Sequence, residues 1–267
     1  TMDTWVNLVS DNKNRGKAIG FYNSAITLGF AIGPLFIGIF GTEGILPIFI
    51  AICLMIIRTP VIMTIKKQVN NVKIPKLEKK LNFSFIKIAP FIFIAIFVSG
   101  VIDSGFGALF PAYMINEFFS DKQIGFLFFI GLIIGVFLQP LVGALTDKIN
   151  KRFLIILFLM FHLIWPLLLH NFISEIIIVY VSIIIWGFAS ISLYTVTLAY
   201  LGERVKITEL SIATSVFIII FEFGEFVGPI TIGFIMDKYE NIGFIYSTLS
   251  FAFISLFIGI IRSIIKR

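Results

Sequence analysis

Residues 29–38 read Gly-Phe-Ala-Ile-Gly-Pro-Leu-Phe-Ile-Gly, and residues 224–233 read Gly-Glu-Phe-Val-Gly-Pro-Ile-Thr-Ile-Gly. Both segments follow the pattern Gly-x-x-x-Gly-Pro-x-x-x-Gly, and the second copy lies 195 residues after the first (224 − 29). The shared positions are Gly29, Gly33, Pro34 and Gly38 in the first copy and Gly224, Gly228, Pro229 and Gly233 in the second. Both copies lie in long apolar stretches, where glycines four residues apart allow membrane helices to pack closely. The pattern indicates an internal repeat.

The composition of the 267-residue chain is that of an integral membrane protein. Hydrophobic residues make up 58% of the chain, charged residues only 13%, and the mean hydropathy is +1.04. A soluble domain is about a quarter charged, so a soluble globule, a disordered chain and a nucleic-acid-binding domain are excluded. One cysteine, Cys53, and two histidines are too few for a disulfide framework or a Cys/His metal cluster. We therefore expect no cofactor, no metal and no nucleic-acid partner.

Long apolar stretches divide the chain into candidate membrane spans. A spanning helix needs about 20 mainly apolar residues. This criterion predicts eight spans, at 18–40, 44–65, 86–115, 123–146, 153–170, 174–200, 209–236 and 242–262.

Positive charge alternates between the connections of these spans. Most of the 21 lysines and arginines fall on one side, and the connections on the other side contain only Lys122 and Lys238. Because lysine and arginine concentrate in cytoplasmic loops, we expect the start of the first span and the C-terminus to lie in the cytoplasm. We interpret the basic runs as topology signals rather than ligand sites.

The repeat predicts how the spans are grouped. The two copies of the glycine pattern lie in spans one and seven, which run in the same direction, so each half contains six spans. We predict that residues 1–65 end the first half, 66–85 form a cytoplasmic linker and 86–267 form the second half. Four further spans are then expected upstream, with residues 1–12 as the end of the fourth.

These features resemble the major facilitator superfamily, a class of twelve-span transporters built from two six-span bundles. The repeated glycine pattern is similar to a fifth-span motif of its drug:proton antiporters. Residues 143–152 resemble a second motif, Gly-x-x-x-Asp followed by basic residues in a short cytoplasmic loop. The residues that carry this second motif are Gly143, Asp147, Lys148 and Arg152, with Asn150 where glycine is usual. The resemblance implies an all-α membrane protein that corresponds to spans five to twelve.

The two motifs have physical interpretations that remain open. Asp147 can cap neighbouring backbone amides and pair with Lys148, Lys151 or Arg152. The resemblance implies that this cluster stabilises one conformational state at the cytoplasmic face, and the alternative is a plain topology anchor. The Gly and Pro positions allow either a rocking seam between bundles or close packing alone.

Three carboxylates lie inside predicted spans, where ionisable groups are costly and usually mark ion or proton pathways. Glu222 and Glu225 are three residues apart near the middle of the seventh span and share one helix face. Two adjacent carboxylates at low dielectric do not both ionise readily, so the pair is suited to carrying a proton. The alternative is a protonated pair that is hydrogen-bonded to neighbouring helices. Asp103 lies in a glycine- and serine-rich stretch. Two interpretations remain open: Asp103 binds substrate or a proton, or it caps the backbone of a broken helix.

Several uncharged polar residues inside the spans are candidates for the wall of a central cavity. They are Asn23, Thr27, Gln139 and Tyr194.

The sequence therefore predicts a secondary active transporter of the cell membrane that works by alternating access. Proton-coupled efflux of drugs or metabolites is the first hypothesis. A symporter or facilitator for a nutrient such as a sugar or an organic acid is the second, and a non-transporting receptor or scaffold is the third. No Ser/His/Asp order, phosphate loop or metal-ligand cluster points to an enzyme. The expected partners are a small-molecule substrate, protons and the lipid bilayer, and we expect a monomer at full length.

Overall fold

The structure is a computed structural model that describes residues 6, 10, 13–69, 85–206 and 208–265. The described residues form helices and short connections, with no β-strand among them. In chain order the described helices are α1 (Arg15–Phe40), α2 (Leu46–Val69), α3 (Phe85–Ile88), α4 (Pro90–Asn116), α5 (Asp121–Thr146), α6 (Lys151–Asn171), α7 (Ile176–Arg204) and α8 (Leu210–Ile265). The all-α prediction is confirmed for this part of the chain.

Six of the described helices are long and apolar enough to cross a membrane, whereas the sequence predicted eight spans. The six are α1, α4, α5, α6, α7 and α8. The predicted span 44–65 corresponds to α2, whose described apolar part, Leu46–Ile57, is shorter than a span. The predicted spans 209–236 and 242–262 both fall within α8, which accounts for the rest of the difference.

Helix α8 contains a reversal of the chain. Its 56 residues would extend about 84 Å if straight, nearly twice the thickness of a bilayer. Glu240 has a non-helical backbone, with φ 56° and ψ −149°, and divides α8 into a first arm (210–239) and a second arm (241–265). Gly243 packs against the backbone of Ile235 and Met236 so closely that a Cβ would not fit. The second arm therefore starts back along the first.

The predicted linker at 66–85 begins later than expected. Helix α2 continues to Val69, so the first four residues of the predicted linker are helical. Residues 70–84 lie outside the described residues, as do all of residues 1–12 except 6 and 10.

The helices form two closely packed pairs, and α7 contacts both pairs. Helix α1 packs along α5, and α4 packs along α8. Helix α7 touches α1, α4, α5, α6 and α8 and so lies at the centre of the described bundle. Residues of α7 can therefore reach both pairs.

An aromatic cluster joins four of these helices. Phe106 of α4 stacks on Trp186 of α7 with ring centroids 3.5 Å apart, and it meets Trp165 of α6 edge-on at 5.4 Å. Phe244, on the second arm of α8, lies 6.1 Å from Trp165. Burying large rings at one point fixes the relative positions of α4, α6, α7 and α8.

Candidate functional site

A cavity of about 630 Å³ lies between five of the helices. Its volume is within the range of about 300–1,000 Å³ that is typical of small-molecule sites. The residues that line it are Tyr22, Asn23, Ile26, Thr27, Phe30 and Pro34 of α1; Asp103 and Gly107 of α4; Phe128 and Leu132 of α5; Trp186, Ser190, Ile191 and Tyr194 of α7; and Ile218, Phe221, Glu222 and Glu225 of α8. Three of the four predicted wall residues are among them.

All three predicted intramembrane acids face this one cavity. Asp103 comes from α4, while Glu222 and Glu225 come from the first arm of α8. Side chains between two helices normally keep the helix backbones apart. At the closest points of the α4–α8 seam the residues are glycines, so the two backbones come closer together. Gly100 packs on the backbone of Phe221, and Gly224 packs on that of Phe97, with no space for a Cβ at either glycine. The close seam brings the acids of both helices to the same cavity.

The two glutamates lie next to each other on the cavity wall. They are three residues apart on one face of α8, and both line the cavity. The Glu225 carboxyl group also lies close enough to Asp103 for their charges to interact.

Asp103 has different neighbours from the glutamates. The Ser99 hydroxyl, one helical turn earlier, donates to Asp103 Oδ2 at 3.1 Å. The hydroxyl of Ser190 on α7 also lies at the Asp103 carboxyl group. None of the described residues that line the cavity is Lys, Arg or His, so its charged groups are all acidic. The described residues also contain no group of three or more His, Cys, Asp or Glu arranged to hold a metal ion.

A buried chain of hydrogen bonds connects the cavity wall to the helices behind it. Asn23 Nδ2 of α1 donates to Thr195 Oγ1 of α7 at 2.7 Å, and the Thr195 hydroxyl donates to Gln139 Oε1 of α5. Gln139 is buried but does not line the cavity, which corrects its predicted position. The Thr195 hydroxyl of α7 therefore links Asn23 of α1 to Gln139 of α5 behind the cavity wall.

A second cluster lies at the opposite end of α1 and α5 from Gly38. Asp147, at the end of α5, accepts from the backbone N–H of Gly16 at 2.9 Å and of Lys17 at 3.1 Å. These are amides of the first turn of α1, which are left without partners inside a helix and carry the positive end of its dipole. Asp147 therefore caps α1 from a different helix.

The predicted ion pairs of Asp147 are not formed. In the described part of the chain, the salt bridge of this cluster joins Lys151 to Glu203 at 2.6 Å, and Asp147 pairs with none of Lys148, Lys151 and Arg152. The reason is that Asp147 is turned toward the N-terminus of α1, while Lys148 is exposed. Asn150 stands where the motif usually has glycine. Its side chain accepts hydrogen bonds from the N–H groups of Arg152 and Phe153, and so it caps the N-terminus of α6.

Arg15 completes the cluster from the side of α1. It is only 6% exposed, and its Nη1 donates to the carbonyl oxygen of Gly202 at 2.7 Å, near the end of α7. A cation is favourable at the C-terminal end of a helix. Helices α1 and α5 are thus joined through Asp147, and α1 and α7 through Arg15.

Comparisons with known proteins identify the family of the chain. A sequence profile of the Major Facilitator Superfamily matches residues 1–229 and, in a second overlapping match, residues 92–265. The chain belongs to the Major Facilitator Superfamily. The superfamily's members are transporters rather than enzymes, which confirms the prediction that the chain is not an enzyme.

Three relatives within the superfamily have been named only as transporters of this type. An uncharacterized MFS-type transporter of Methanocaldococcus jannaschii is 27% identical over 246 residues, which are 88% of this chain and 63% of that protein. YfkF of Bacillus subtilis is 25% identical over 266 residues (96% and 67%), and YcaD of Escherichia fergusonii is 24% identical over 252 residues (91% and 63%). The chain thus spans about two thirds of the length of the curated relatives that it matches.

The two copies of the glycine motif have different surroundings in this superfamily member. In α8, Gly224 and Gly228 lie against the backbone of α4, and Gly233 makes an ordinary contact with Leu109. In α1, Gly38 contacts the Phe126 ring, but no described atom lies within 4 Å of where a Cβ of Gly29 or Gly33 would be.

The predicted seam role of Gly29 and Gly33 stays a prediction, because no described helix packs against these two glycines. Helix α1 packs on α5 through Gly16, Gly20 and Gly38, which lie within about 40° of one another around the helix. Gly29 and Gly33 lie about 220° and 260° from Gly16, and so they face away from α5.

Trp186 and Ser190 are two of the cavity-wall residues that the sequence did not predict. They are four residues apart on α7 and share one face, which places both of them next to α4. Their spacing was visible in the sequence. The signal was weak because α7 contains many apolar and small residues at the same spacing.

Proposed function

We propose that the full-length protein is a secondary active transporter that couples export of a small solute, a drug or a metabolite, to the proton gradient. The supporting observation is the cavity, which gathers Asp103, Glu222 and Glu225 between apolar helices. Ionisable groups are costly at this depth and mark ion or proton pathways in membrane proteins. A receptor or scaffold of the same fold would gain nothing from three such groups in one cavity.

The proton sites of this proposal are Glu222 and Glu225. A carboxyl pair that shares a proton releases it when the environment becomes wetter or when a cation approaches, and binds it again when the pair is shielded. Alternating exposure to the two sides of the membrane then moves the proton across. Asp103 lies close enough to respond to the charge of the pair.

The proposed architecture has two six-helix bundles in the plasma membrane. Residues 1–65 end the first bundle, 66–85 form a cytoplasmic linker and 86–267 form the second, with the two arms of α8 as separate spans and a cytoplasmic C-terminus. The repeated glycine pattern, the two overlapping profile matches and the greater length of the relatives support this division. The eight spans, the four upstream spans and a monomer at full length are part of the same proposal.

The Asp147 cluster is proposed to close the cytoplasmic face. Asp147 and Arg15 tie α1, which belongs to the first bundle in this division, to α5 and α7 of the second. These contacts must break when the bundles separate on that side. The cluster therefore favours the state in which the cavity is closed to the cytoplasm.

Energised efflux from cells tests the proposal. Cells that carry the full-length gene are loaded with a lipophilic cationic dye, and efflux is followed with and without an uncoupler. We expect efflux that stops with the uncoupler and is lost in Glu225→Gln, whereas Asp237→Asn, a change at an exposed acid outside the cavity, retains it. Proton-coupled export is refuted if a Glu222→Gln/Glu225→Gln protein in vesicles retains the wild-type response to a pH gradient.

The direction of transport is tested separately, because the same acid pair serves a symporter equally well. Counterflow with a panel of sugars and organic acids, measured in vesicles that contain the full-length protein, distinguishes a drug or metabolite exporter from a nutrient symporter. Exchange of a nutrient, with no dye efflux above that of empty vector, would favour the nutrient symporter.

A further inference from the structure

We propose that the α1 side of the cavity recognises a neutral hydrogen-bond donor of the solute, a hydroxyl or amide N–H group, through Asn23 Oδ1 and Thr27 Oγ1. Gln139 is the positioning residue, because it lies behind the wall and sets which end of the Asn23 amide faces the cavity. This inference rests on the proposed transport function, and it adds the polar group by which the solute is recognised.

The sides of the cavity differ in charge. Its three acids come from α4 and α8, whereas the residues of α1 that line it include no Asp, Glu, Lys, Arg or His. Asn23 and Thr27 are four residues apart on α1, so they share one face of the helix. A polar group of a solute that contacts this face therefore meets neutral side chains.

The hydroxyl proton of Thr27 is already used within α1. Thr27 Oγ1 donates to the backbone carbonyl oxygen of Asn23, one helical turn earlier, at 2.8 Å. A hydroxyl group has one proton and two acceptor lone pairs. While this bond holds, Thr27 can accept a hydrogen bond from a solute but cannot donate one.

The amide of Asn23 is oriented by the hydrogen-bond chain behind the wall. Its Nδ2 donates to Thr195 Oγ1 at 2.7 Å, and the Thr195 hydroxyl donates to Gln139 Oε1. Because Thr195 gives its single proton to Gln139, it can only accept from Asn23, and this holds the NH2 end of the Asn23 amide at Thr195. No hydrogen bond among the described residues uses the other end, Oδ1, which is left for a group inside the cavity.

Gln139 controls this polarity from outside the cavity. Its Oε1 takes the Thr195 proton, while its Nε2 is buried and has no partner among the described residues. A buried donor without a partner lowers stability, so the orientation that this glutamine imposes explains its presence better than packing does. An apolar side chain at position 139 would release the Thr195 proton. That proton could then go to Asn23 Oδ1, which would turn the Asn23 NH2 group toward the cavity.

A wall of acceptors discriminates between solutes by what it leaves unpaired. A hydroxyl or amide N–H group can donate to Asn23 Oδ1 or Thr27 Oγ1, whereas an ether of the same shape brings oxygen against oxygen. Sites that are built to hydrogen-bond a substrate hydroxyl reject analogues that lack it, because the buried polar groups of the site are then unpaired.

The test uses the purified full-length protein in lipid nanodiscs and two neutral fluorescent probes. The dansyl amide of N-methylethanolamine has its hydroxyl as the only donor, and its methyl ether has none. Binding is measured as saturable energy transfer from tryptophan to dansyl, since Trp186 lines the cavity, with empty nanodiscs as the blank. We expect the wild-type protein to bind the alcohol at least about 5-fold more tightly than the ether.

Variants then assign the positioning role. Gln139→Met, which retains the length of the side chain but has no acceptor oxygen, is expected to reduce the preference for the alcohol to about two-fold or less. Gln139→Glu retains an oxygen at this place and is expected to keep the preference. The matched control is Ser24→Ala, because Ser24 is next to Asn23 and donates to the Val136 carbonyl oxygen of α5 at 2.8 Å without lining the cavity. A purely structural role of Gln139 would change the binding of both probes equally and leave their ratio unchanged.

Four outcomes would overturn the inference. They are equal or tighter binding of the ether by the wild-type protein, no saturable binding of either probe, an unchanged preference in Gln139→Met, and an equal loss of preference in Ser24→Ala. Failure of the proposed function would look different. A preference for the alcohol that depends on Gln139, together with transport that ignores a pH gradient, would refute proton coupling and leave the recognition of a neutral donor in place.

Discussion

Replacing Asp147 by alanine should open the cavity toward the cytoplasm. Asp147 accepts from two first-turn amides of α1 and carries a charge that is favourable at this end of a helix. Loss of a side-chain cap costs about 0.5–2 kcal/mol, and loss of the charge about 0.3–1 kcal/mol. The closed state should therefore lose about 1–3 kcal/mol relative to the state in which α1 and α5 separate here, a shift of about 5- to 150-fold in their equilibrium.

Cysteine labelling measures this shift. In the full-length protein, the single cysteine of this chain, Cys53, is replaced by serine, and Ile218→Cys places a thiol in the cavity wall. Inside-out vesicles are treated with a membrane-impermeant maleimide, and the labelling rate of this parent is compared with that of the same protein carrying Asp147→Ala. We expect faster labelling in Asp147→Ala, and an unchanged rate in Asp237→Ala, which removes an exposed acid elsewhere on α8.

A labelling rate within about two-fold of the parent would refute the reasoning, because the loss of two hydrogen bonds between α1 and α5 cannot leave the closed state unaffected. A slower rate would show that the contacts favour the open state instead. Size-exclusion profiles of both variants exclude unfolding as the cause of faster labelling.

Two further predictions concern the stability of the full-length protein in detergent, measured by thermal unfolding. Glu240→Gly should raise stability by about 1 kcal/mol, because φ 56° with ψ −149° is a backbone conformation that glycine adopts without strain; Tyr239→Gly, one residue earlier, should lower it by about as much. Thr195→Val should lower stability by about 1–3 kcal/mol, because it leaves Asn23 and Gln139 without a shared partner. Thr197→Val should cost less, since the Thr197 hydroxyl bonds only to carbonyls of its own helix, and equal effects of the two would contradict the network.

Most of the helix boundaries could be predicted because a membrane demands long apolar helices. The predicted spans 123–146 and 153–170 correspond to α5 (Asp121–Thr146) and α6 (Lys151–Asn171) within two residues at each end. The reversal in α8 was harder to place. The chain turns at a glutamate, with neither glycine nor proline at that residue, so only the end of the apolar run suggested a break.

The acid cluster could be predicted only in part. Spacing alone places Glu222 and Glu225 on one face of a helix, because residues three apart are neighbours there. Whether Asp103 joins them depends on which helix packs against α8 and in what register. That register is set by Gly100, Gly224 and Gly228, whose missing side chains allow the α4 and α8 backbones to touch. A sequence shows the glycines but not which helix they contact.

The two copies of the glycine pattern show why a motif does not determine a contact. In α8, the motif glycines face the neighbouring helix of the same proposed bundle. In α1, the contact with α5 uses Gly16 and Gly20, and the motif glycines Gly29 and Gly33 point to the opposite side, where the described residues place nothing. By the repeat, that side of α1 is equivalent to the side of α8 that packs on α4. If the proposed upstream bundle exists, its first helix is expected to pack on this side of α1, because α4 is the first full-length helix of the other proposed bundle.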